Sequence, residues 1–403
     1  MTIQFDLIVI GGGPAGSMAA FTAVQAGLSV LVLDKAQFPR VKPCAGGLTI
    51  KSLNLLPFSI SEIVQSATGT LLMGYKHNHP ITYSTNGFVC AFVVRETFDK
   101  FLHDKMCAAG AEFCQITSLD AIEATKDGVS IRINGGKLVS CKYVVAADGA
   151  NSQCRRLLEP KMDFARGFAL EGLVPYDMID HIPQMEFDFG CVDYGYGWLF
   201  PKKDHVNVGI YTCNDAVKLS KDGLRRYVHQ KLGTKYIDHV VGFPLGFGGH
   251  TYVQKNNRVL FAGDAAGMAE PLLGEGIHNA LKSGISAGRC VADAVTSNRQ
   301  IATTYNAALS NIRSDIQRCH TLAHKFFYPK LDTSARNAMK VPLVQAVLMR
   351  GFASGLTLSA TMNSFPIVPF KRPSMPSSIA SMREKQDIMK QNGSEKSGLV
   401  VAD

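Results

Sequence analysis

The chain has 403 residues, 46% of them hydrophobic and 19% charged, with a formal net charge of +9. This composition excludes a disordered or fibrous chain and gives enough length for one large or two medium globular domains. The basic balance suits a solvated surface, anionic lipid headgroups or phosphorylated substrates; no basic stretch interleaves with aromatics, so nucleic acid is not an expected partner.

The first element is the apolar run Asp6–Ile10, expected as a strand, followed by Gly11-x-Gly13-x-x-Gly16 and a helical pattern. Such a strand–turn–helix cradles a dinucleotide pyrophosphate, because free N–H groups and the dipole at a helix N-terminus favour anions. Gly11 permits the tight turn, Gly13 lets the backbone approach the phosphates, and Gly16 lets helix and strand pack closely. A second strand, Ser29–Leu33, ends in Asp34 about 20 residues on, where an acid can hold a ribose hydroxyl. With Pro14, Ala15 and Lys35, these residues form the first group of expected cofactor contacts. A purely structural glycine turn is the alternative.

A loop through Pro39 and Pro43 leads to Cys44-Ala45-Gly46-Gly47, too glycine-rich for a helix interior. A helix over 96–109 is opened by Arg95. Alternating segments at 111–118, 129–134 and 137–140 predict a small antiparallel unit, and Val144–Ala147 a short buried strand ending at Asp148-Gly149. From 160 to 257 aromatic alternation, as in Met185–Phe189 and Val206–Ile210, predicts a separate, mostly antiparallel sheet with one helix near 216–231. Arg258–Ala262 is again a strand, and Gly263–Gly267 leads to a helix from about 276. Residues 299–340 hold no glycine and only Pro329, so they read as helical.

The stretch 351–370 is apolar but carries Gly351, Gly355, Asn363, Pro366 and Pro369, a poor membrane span. It reads as a helix docked on the protein or lying on a membrane surface. From Pro373 the chain is Ser-, Lys- and Glu-rich and reads as disordered. The ten cysteines include no Cys-x-x-Cys, so neither a metal site nor a thioredoxin-like motif is expected. Gln4 and Asp6 interrupt the N-terminus and argue against a signal peptide, which places the thiols in a reducing cytoplasm.

Three motifs occur in order: Gly11-x-Gly13-x-x-Gly16, Ala147-Asp148-Gly149-Ala150, and Ala262-Gly263-Asp264-Ala265-Ala266. Together they resemble the FAD-containing oxidoreductases of the para-hydroxybenzoate hydroxylase type, over about residues 1–300. The resemblance implies that Asp148 and Gly149 lie near the pyrophosphate, that Gly263 and Asp264 hold the ribityl chain, and that Arg95 contacts the flavin side chain. The ordinary alternative for Asp264 is a helix N-cap. Gly274-Glu275-Gly276-Ile277 precedes an apolar helix whose N–H groups can face the flavin N1–C2=O edge, which becomes anionic on reduction.

Two further motifs narrow the resemblance. Lys42-Pro43-Cys44-Ala45-Gly46-Gly47 and Tyr196-Gly197-Trp198-Leu199-Phe200-Pro201-Lys202 resemble the Lys-x-Cys-Gly-Gly and Tyr-x-Trp-x-Phe-Pro segments of the geranylgeranyl reductase family. That family saturates isolated carbon–carbon double bonds of polyprenyl chains with reduced FAD. Ala45 and Leu272-Leu273 depart from its usual residues. The resemblance puts Cys44, Ala45 and Gly46 near the flavin. Cys44 then donates a proton to the alkene or only shapes the cavity, against the plain reading of an inert buried thiol. Alternation sends Tyr196, Trp198 and Phe200 to one face of a strand, as an apolar wall for a prenyl chain or as ordinary sheet core. His278 reads as a packed helix residue, and the remaining cysteines as core.

The expected fold is α/β: a Rossmann-type FAD-binding domain (1–73, 95–159 and 258–298), an inserted mostly antiparallel β-sheet substrate domain (74–94 and 160–257), a C-terminal helical region (299–370) and a tail (371–403). The expected function is FAD-dependent reduction of a prenyl or isoprenoid substrate, geranylgeranyl-type. The alternatives are an FAD-dependent monooxygenase or halogenase of an aromatic or polyketide substrate, and a non-catalytic flavin-binding module. No second Gly-x-Gly-x-x-Gly appears, so electrons are expected from an external donor, NAD(P)H or a ferredoxin. A lipid substrate and peripheral membrane contact complete the expectation.

Overall fold

The computed structural model describes residues 3–78, 80–84, 87–159, 162, 164–297, 300–333 and 351–363. Its first sheet is built on β1 (Phe5–Ile10), flanked in parallel by β2 (Val30–Asp34) and by the long β11 (Lys137–Ala146). Leu7–Ile10 are all buried, as a central parallel strand covered on both faces requires. β17 (Val259–Phe261) adds in parallel to the last residues of β11. The chain thus returns to the first sheet after an excursion of more than a hundred residues.

Two expectations for this sheet need correction. The 111–118 segment forms β8 (Glu112–Gln115), which runs parallel to β2 rather than in an antiparallel unit. It follows the crossover helix α3 (Arg95–Ala108), and a crossover helix returns the chain in parallel. The segments at 137–140 and 144–147 are one strand, β11. Cys141 pairs with both Phe5 and Val129, so the strand changes partners along its length. Its first half makes an antiparallel unit with β9 (Leu119–Ala124) and β10 (Val129–Ile133).

The second sheet has the order β16-β12-β15-β14-β13-β5-β6 and is antiparallel except between β13 and β5. Its strands are β5 (Thr70–Tyr75), β6 (Ile81–Ser84), β12 (Arg166–Pro175), β13 (Glu186–Phe189), β14 (Gly195–Pro201), β15 (His205–Thr212) and β16 (Asp238–Gly246). One face is covered by α5 (Lys221–Leu232), whose Leu224, Tyr227 and Val228 pack on Leu199, Val208 and Ile210. That helix starts later than 216 because Ser220 caps it, accepting from the Gly223 N–H at 3.0 Å. The other face carries the aromatic side chains.

The segment 74–94 does not all join this sheet. β5 begins at Thr70, and β7 (Cys90–Val93) pairs instead with β3 (Gly47–Thr49) and β4 (Val64–Thr68) in a third sheet. All four β7 residues are buried, which a strand added outside β6 would not be. The short helices α2 (Ile50–Leu53) and α4 (Gln153–Leu158) complete these layers.

The helix α6 (Ile277–Ser297) lies on α1 (Pro14–Gln25) with backbone almost touching backbone. A Cβ on Gly284 would stand 2.1 Å from the Ala15 carbonyl oxygen. Beyond it α7 (Ile301–Ala308) and α8 (Ser310–Thr321) continue the chain, and α9 (Leu358–Asn363) docks on α8, where Asp315 Oδ1 accepts from the Ser359 N–H at 3.0 Å. The expected disordered tail and most of 334–370 lie outside the described residues. Among the described residues no helix is long and apolar enough to cross a membrane.

The α1–α6 contact gives a test. Gly284→Ala forces the two helices apart and is expected to lower stability by about 3 kcal/mol, the upper range for overpacking, read from urea unfolding midpoints.

Candidate functional site

A cavity of about 540 Å³ opens at the C-terminal ends of β1, β2 and β11, where open α/β sheets bind ligands, and runs on beneath the aromatic face of the second sheet. In its first half the backbone is kept bare. Gly11 has φ +101°, and a Cβ there would stand 2.4 Å from the Ala147 carbonyl oxygen. Gly13, Pro14 and Ala15 line the wall where α1 begins, so the unpaired N–H groups of the first turn and the helix dipole face the space. Gly16 does not line the cavity. A Cβ on it would stand 1.8 Å from the Gly11 carbonyl oxygen, so it closes the turn from behind. Gly263 likewise sits behind the wall, its N–H bound to Ser283 Oγ at 2.9 Å.

Four acidic or basic residues shape this half differently. Asp34 Oδ2 accepts from the Gly12 N–H at 2.6 Å and Oδ1 from the Ala36 N–H at 2.8 Å, which fixes its carboxylate at the rim. Lys35 reaches Gln153 Oε1 at 2.7 Å across the same rim. Asp148 is spent on structure: its carboxylate accepts from Ser152 Oγ at 2.6 Å and from the Gln153 and Cys154 N–H groups at 2.7 and 2.9 Å, leaving the adjacent Gly149 on the wall. Arg95 heads α3 and binds Asp99 with Nε and Nη2 at 2.7 and 2.8 Å, while Arg40 adds a third contact at 3.0 Å. Burial works against the Arg95 charge, but Asp99 and then Cys44 outweigh it and raise its pKa.

Asp264 stands apart. It is half-buried on the cavity wall, and no donor among the described residues hydrogen-bonds it. Burial raises its pKa, with Lys42 and Arg95 pulling the other way. An N-cap role is not seen: the 3-10 turn Gly263–Ala266 has no side-chain cap.

The far wall is a stiff loop. Glu270 takes the N–H groups of Leu272, Leu273 and Glu275 at 2.8, 2.7 and 3.1 Å. Three hydroxyls bind its carbonyls in turn: Tyr211 to Pro271 at 2.8 Å, Tyr328 to Leu272 at 2.6 Å and Tyr196 to Leu273 at 2.5 Å. The unusual Leu272 is buried in the aromatic cluster. The loop delivers Gly274, Gly276 and Ile277 to the cavity wall where α6 starts. Glu275 pairs with Lys51 and accepts from Thr49 Oγ1 at 2.9 Å. His278 is buried beside them and pushed down to about 4 by burial and Lys51, so it is a neutral packed residue.

Tyr196, Trp198 and Phe200 line the second half and also belong to a buried aromatic cluster, with Phe187 edge-on to Tyr196 at 5.2 Å and to Phe200 at 5.5 Å. Wall and core are thus the same residues. Cys44, Ala45 and Gly46 cross between the two halves. Three cavity-side residues were missed by sequence reading. Glu171 accepts from the Cys44 N–H at 2.7 Å, and burial raises its pKa. Lys202 donates to the Ala45 carbonyl at 2.6 Å and is pushed down to about 8 by burial. Lys42 is pushed down to about 7 by burial and then by Arg95. A lone acid in the apolar run of β12 was the available signal for Glu171; Lys202 directly follows the aromatic motif.

These features suit FAD. The bare Gly11–Gly16 turn admits a diphosphate, the unpartnered Asp264 carboxylate can accept from hydroxyls, and the volume matches a cofactor-sized ligand. Among the described residues no cluster could hold a metal ion.

Residues 4–176 match the FAD binding domain family. An uncharacterised protein of Methanosarcina barkeri is 33% identical over 90% of this chain and 94% of its own length. Digeranylgeranylglycerophospholipid reductase 2 of Methanothermobacter thermautotrophicus is 32% identical over 74% of this chain and 80% of its own. Among solved structures, a geranylgeranyl bacteriochlorophyll reductase-like protein of Thermoplasma acidophilum superposes with a TM-score of 0.74 at 22% identity, covering 95% of this chain and 99% of that one, which shows the shared fold. The chain is an FAD-dependent oxidoreductase and belongs to the geranylgeranyl reductase family.

Proposed function

We propose that the protein saturates carbon–carbon double bonds of a prenyl chain carried on a polar head, using electrons from an external donor, NAD(P)H or a ferredoxin. The observation that carries this reading is the continuity of the cavity: a polar, glycine-lined half opens directly into one walled by Tyr196, Trp198, Phe200 and Phe187. A prenyl chain offers only apolar surface, so burial against those rings supplies its binding, about 25 cal/mol per Å². The name of the Methanothermobacter relative points to the same class of substrate.

Reduced FAD, when bound, supplies the hydride. In this reading Gly11, Gly13, Pro14 and Ala15 receive the diphosphate at the start of α1, and Asp34 and Lys35 flank the adenosine ribose. Asp264 accepts from the ribityl hydroxyls, and Gly274, Gly276 and Ile277 present the N-terminus of α6 to the ring edge. Asp148 and Gly149 shape the pyrophosphate wall, with Gly16 and Gly263 behind it. Arg95 keeps its charge in the interior by pairing with Asp99.

Cys44 holds the proton. Its thiol gives H⁺ to one alkene carbon as hydride reaches the other, and water restores the thiol afterwards. An unactivated alkene accepts hydride poorly, so this proton must lead or accompany the transfer. Arg95 lines the same wall as Cys44, so a fixed positive charge faces the space from which the proton leaves. Cys90, also on the wall, is pushed up to about 12 by burial, which makes it a weak proton donor.

Access from a membrane surface fits Val41, which is 78% exposed between the cavity-lining Arg40 and Lys42, in a chain of net charge +9.

The test is anaerobic. Photoreduced holoenzyme is mixed with geranylgeranyl diphosphate, a digeranylgeranyl glycerophospholipid or a prenylquinone. Reoxidation with a mass gain of two hydrogens per double bond is expected for at least one. A flavin that stays reduced until air is admitted would move the assignment to oxygen chemistry. With the accepted substrate, Cys44→Ser is expected to lower kcat roughly 100-fold at unchanged FAD content, the usual weight of a general acid; an unchanged kcat would remove Cys44 from the proton path.

A further inference from the structure

The Cys44 loop has no regular structure over residues 41–46, yet its backbone is held at three successive residues. The Cys44 N–H donates to Glu171 Oε1 at 2.7 Å. The Ala45 carbonyl accepts from Lys202 Nζ at 2.6 Å, and the Gly46 carbonyl from the Val93 N–H at 2.9 Å. Lys202 Nζ also donates to the Val93 carbonyl at 3.1 Å, so it bridges the loop and β7. The fit leaves no slack: a Cβ on Gly46 would stand 2.0 Å from the Val93 carbonyl oxygen.

Glu171 comes from β12 and Lys202 from the turn directly after β14, and both are buried, at 7% and 4% exposure. Buried charges are costly to desolvate, and apolar residues of similar size would stabilise a core as well or better. Two such residues on one loop point to a role other than packing. Behind Glu171 stands Asn207, whose Oδ1 accepts from Trp198 Nε1 at 2.7 Å. Glu171 and Trp198 both lie opposite Gly209, one on each side of it, so they stand in one row across the sheet. The only tryptophan of the chain thus shares a row of the sheet with the acid that holds the Cys44 backbone.

We propose that Glu171 and Lys202 are positioning residues that clamp the Cys44 loop across the cavity, so that the aromatic wall, which shares the Glu171 row, and the thiol keep one register. A chain lying on Trp198 is thereby placed relative to Cys44 by sheet register and the Glu171 and Lys202 hydrogen bonds rather than by packing alone.

The proposal rests on the reductase reading only for its activity readout. The test uses FAD-loaded full-length protein and measures alkylation of Cys44 by N-ethylmaleimide, located by peptide mass mapping, together with steady-state kinetics. Glu171→Leu is expected to speed Cys44 alkylation about tenfold and lower kcat by a similar factor, the scale of one charge-assisted hydrogen bond, with KM nearly unchanged. Glu171→Gln keeps an acceptor oxygen for the Cys44 N–H while removing the charge, and is expected to recover most of both losses. Lys202→Met is expected to act in the same direction as Glu171→Leu. Should Glu171→Leu fail to retain FAD, Lys202→Met and Glu171→Gln decide the matter. Alkylation rates unchanged in the FAD-loaded variants, or a Glu171→Gln rate equal to that of Glu171→Leu, overturn the clamp. Altered alkylation without turnover of any prenyl substrate keeps the clamp and removes the reductase reading; turnover with unaltered alkylation does the reverse.

Discussion

The fold depends on a steric constraint: backbones that approach too closely for any side chain to intervene. Gly16 leaves room for the Gly11 carbonyl oxygen, and Gly284 leaves room for that of Ala15. Because of the first, α1 begins directly against the end of β1. Because of the second, α6 lies directly on α1, so residues separated by more than 250 positions form one helical layer over the sheet. The cavity sits where these elements end, with the starts of two helices facing it. Bulk at either glycine would move a whole wall rather than a single contact.

Charge inside the cavity walls follows a simple rule. Arg95 has Asp99, Lys51 has Glu275, and Glu171 has the Cys44 N–H with Lys202 nearby. A buried charge without such a partner costs several kcal/mol, so each of these is tied. Lys42 instead rests on the Phe243 ring, and Asp264, half-buried on the cavity wall, meets no donor among the described residues. Neutral hydroxyls of a bound ligand are the kind of group that would satisfy it, and the proposed ribityl contact gives it them.

What could be read from the sequence was local. The Gly11–Gly16 turn, the Asp-Gly and Gly-Asp turns after their strands, and the Tyr196-Trp198-Phe200 alternation each declare themselves within about ten residues. The features that escaped reading depend on distant partners. Glu171 meets Cys44 across 127 residues of sequence and Lys202 meets Ala45 across 157. Nothing in the alternation of 111–118 says that β8 lies parallel to β2, because direction is set by the helix before it rather than by the strand. Asp148 illustrates a subtler limit: its motif placed it at the cavity, while its carboxylate is consumed in capping α4. Trp198 was legible as an aromatic ring, and its N–H bond to Asn207 was not.

One interior joins two chemistries, a glycine-lined dinucleotide seat and an apolar aromatic wall, at the Cys44 loop. The most direct measurement is a crystal structure of the FAD-loaded protein with a geranylgeranyl-chain lipid bound. The flavin ring is expected between the start of α6 and the Cys44 loop, with the prenyl chain against Tyr196, Trp198 and Phe200. A ring seated away from that loop, or a prenyl chain bound outside the aromatic half, would contradict it.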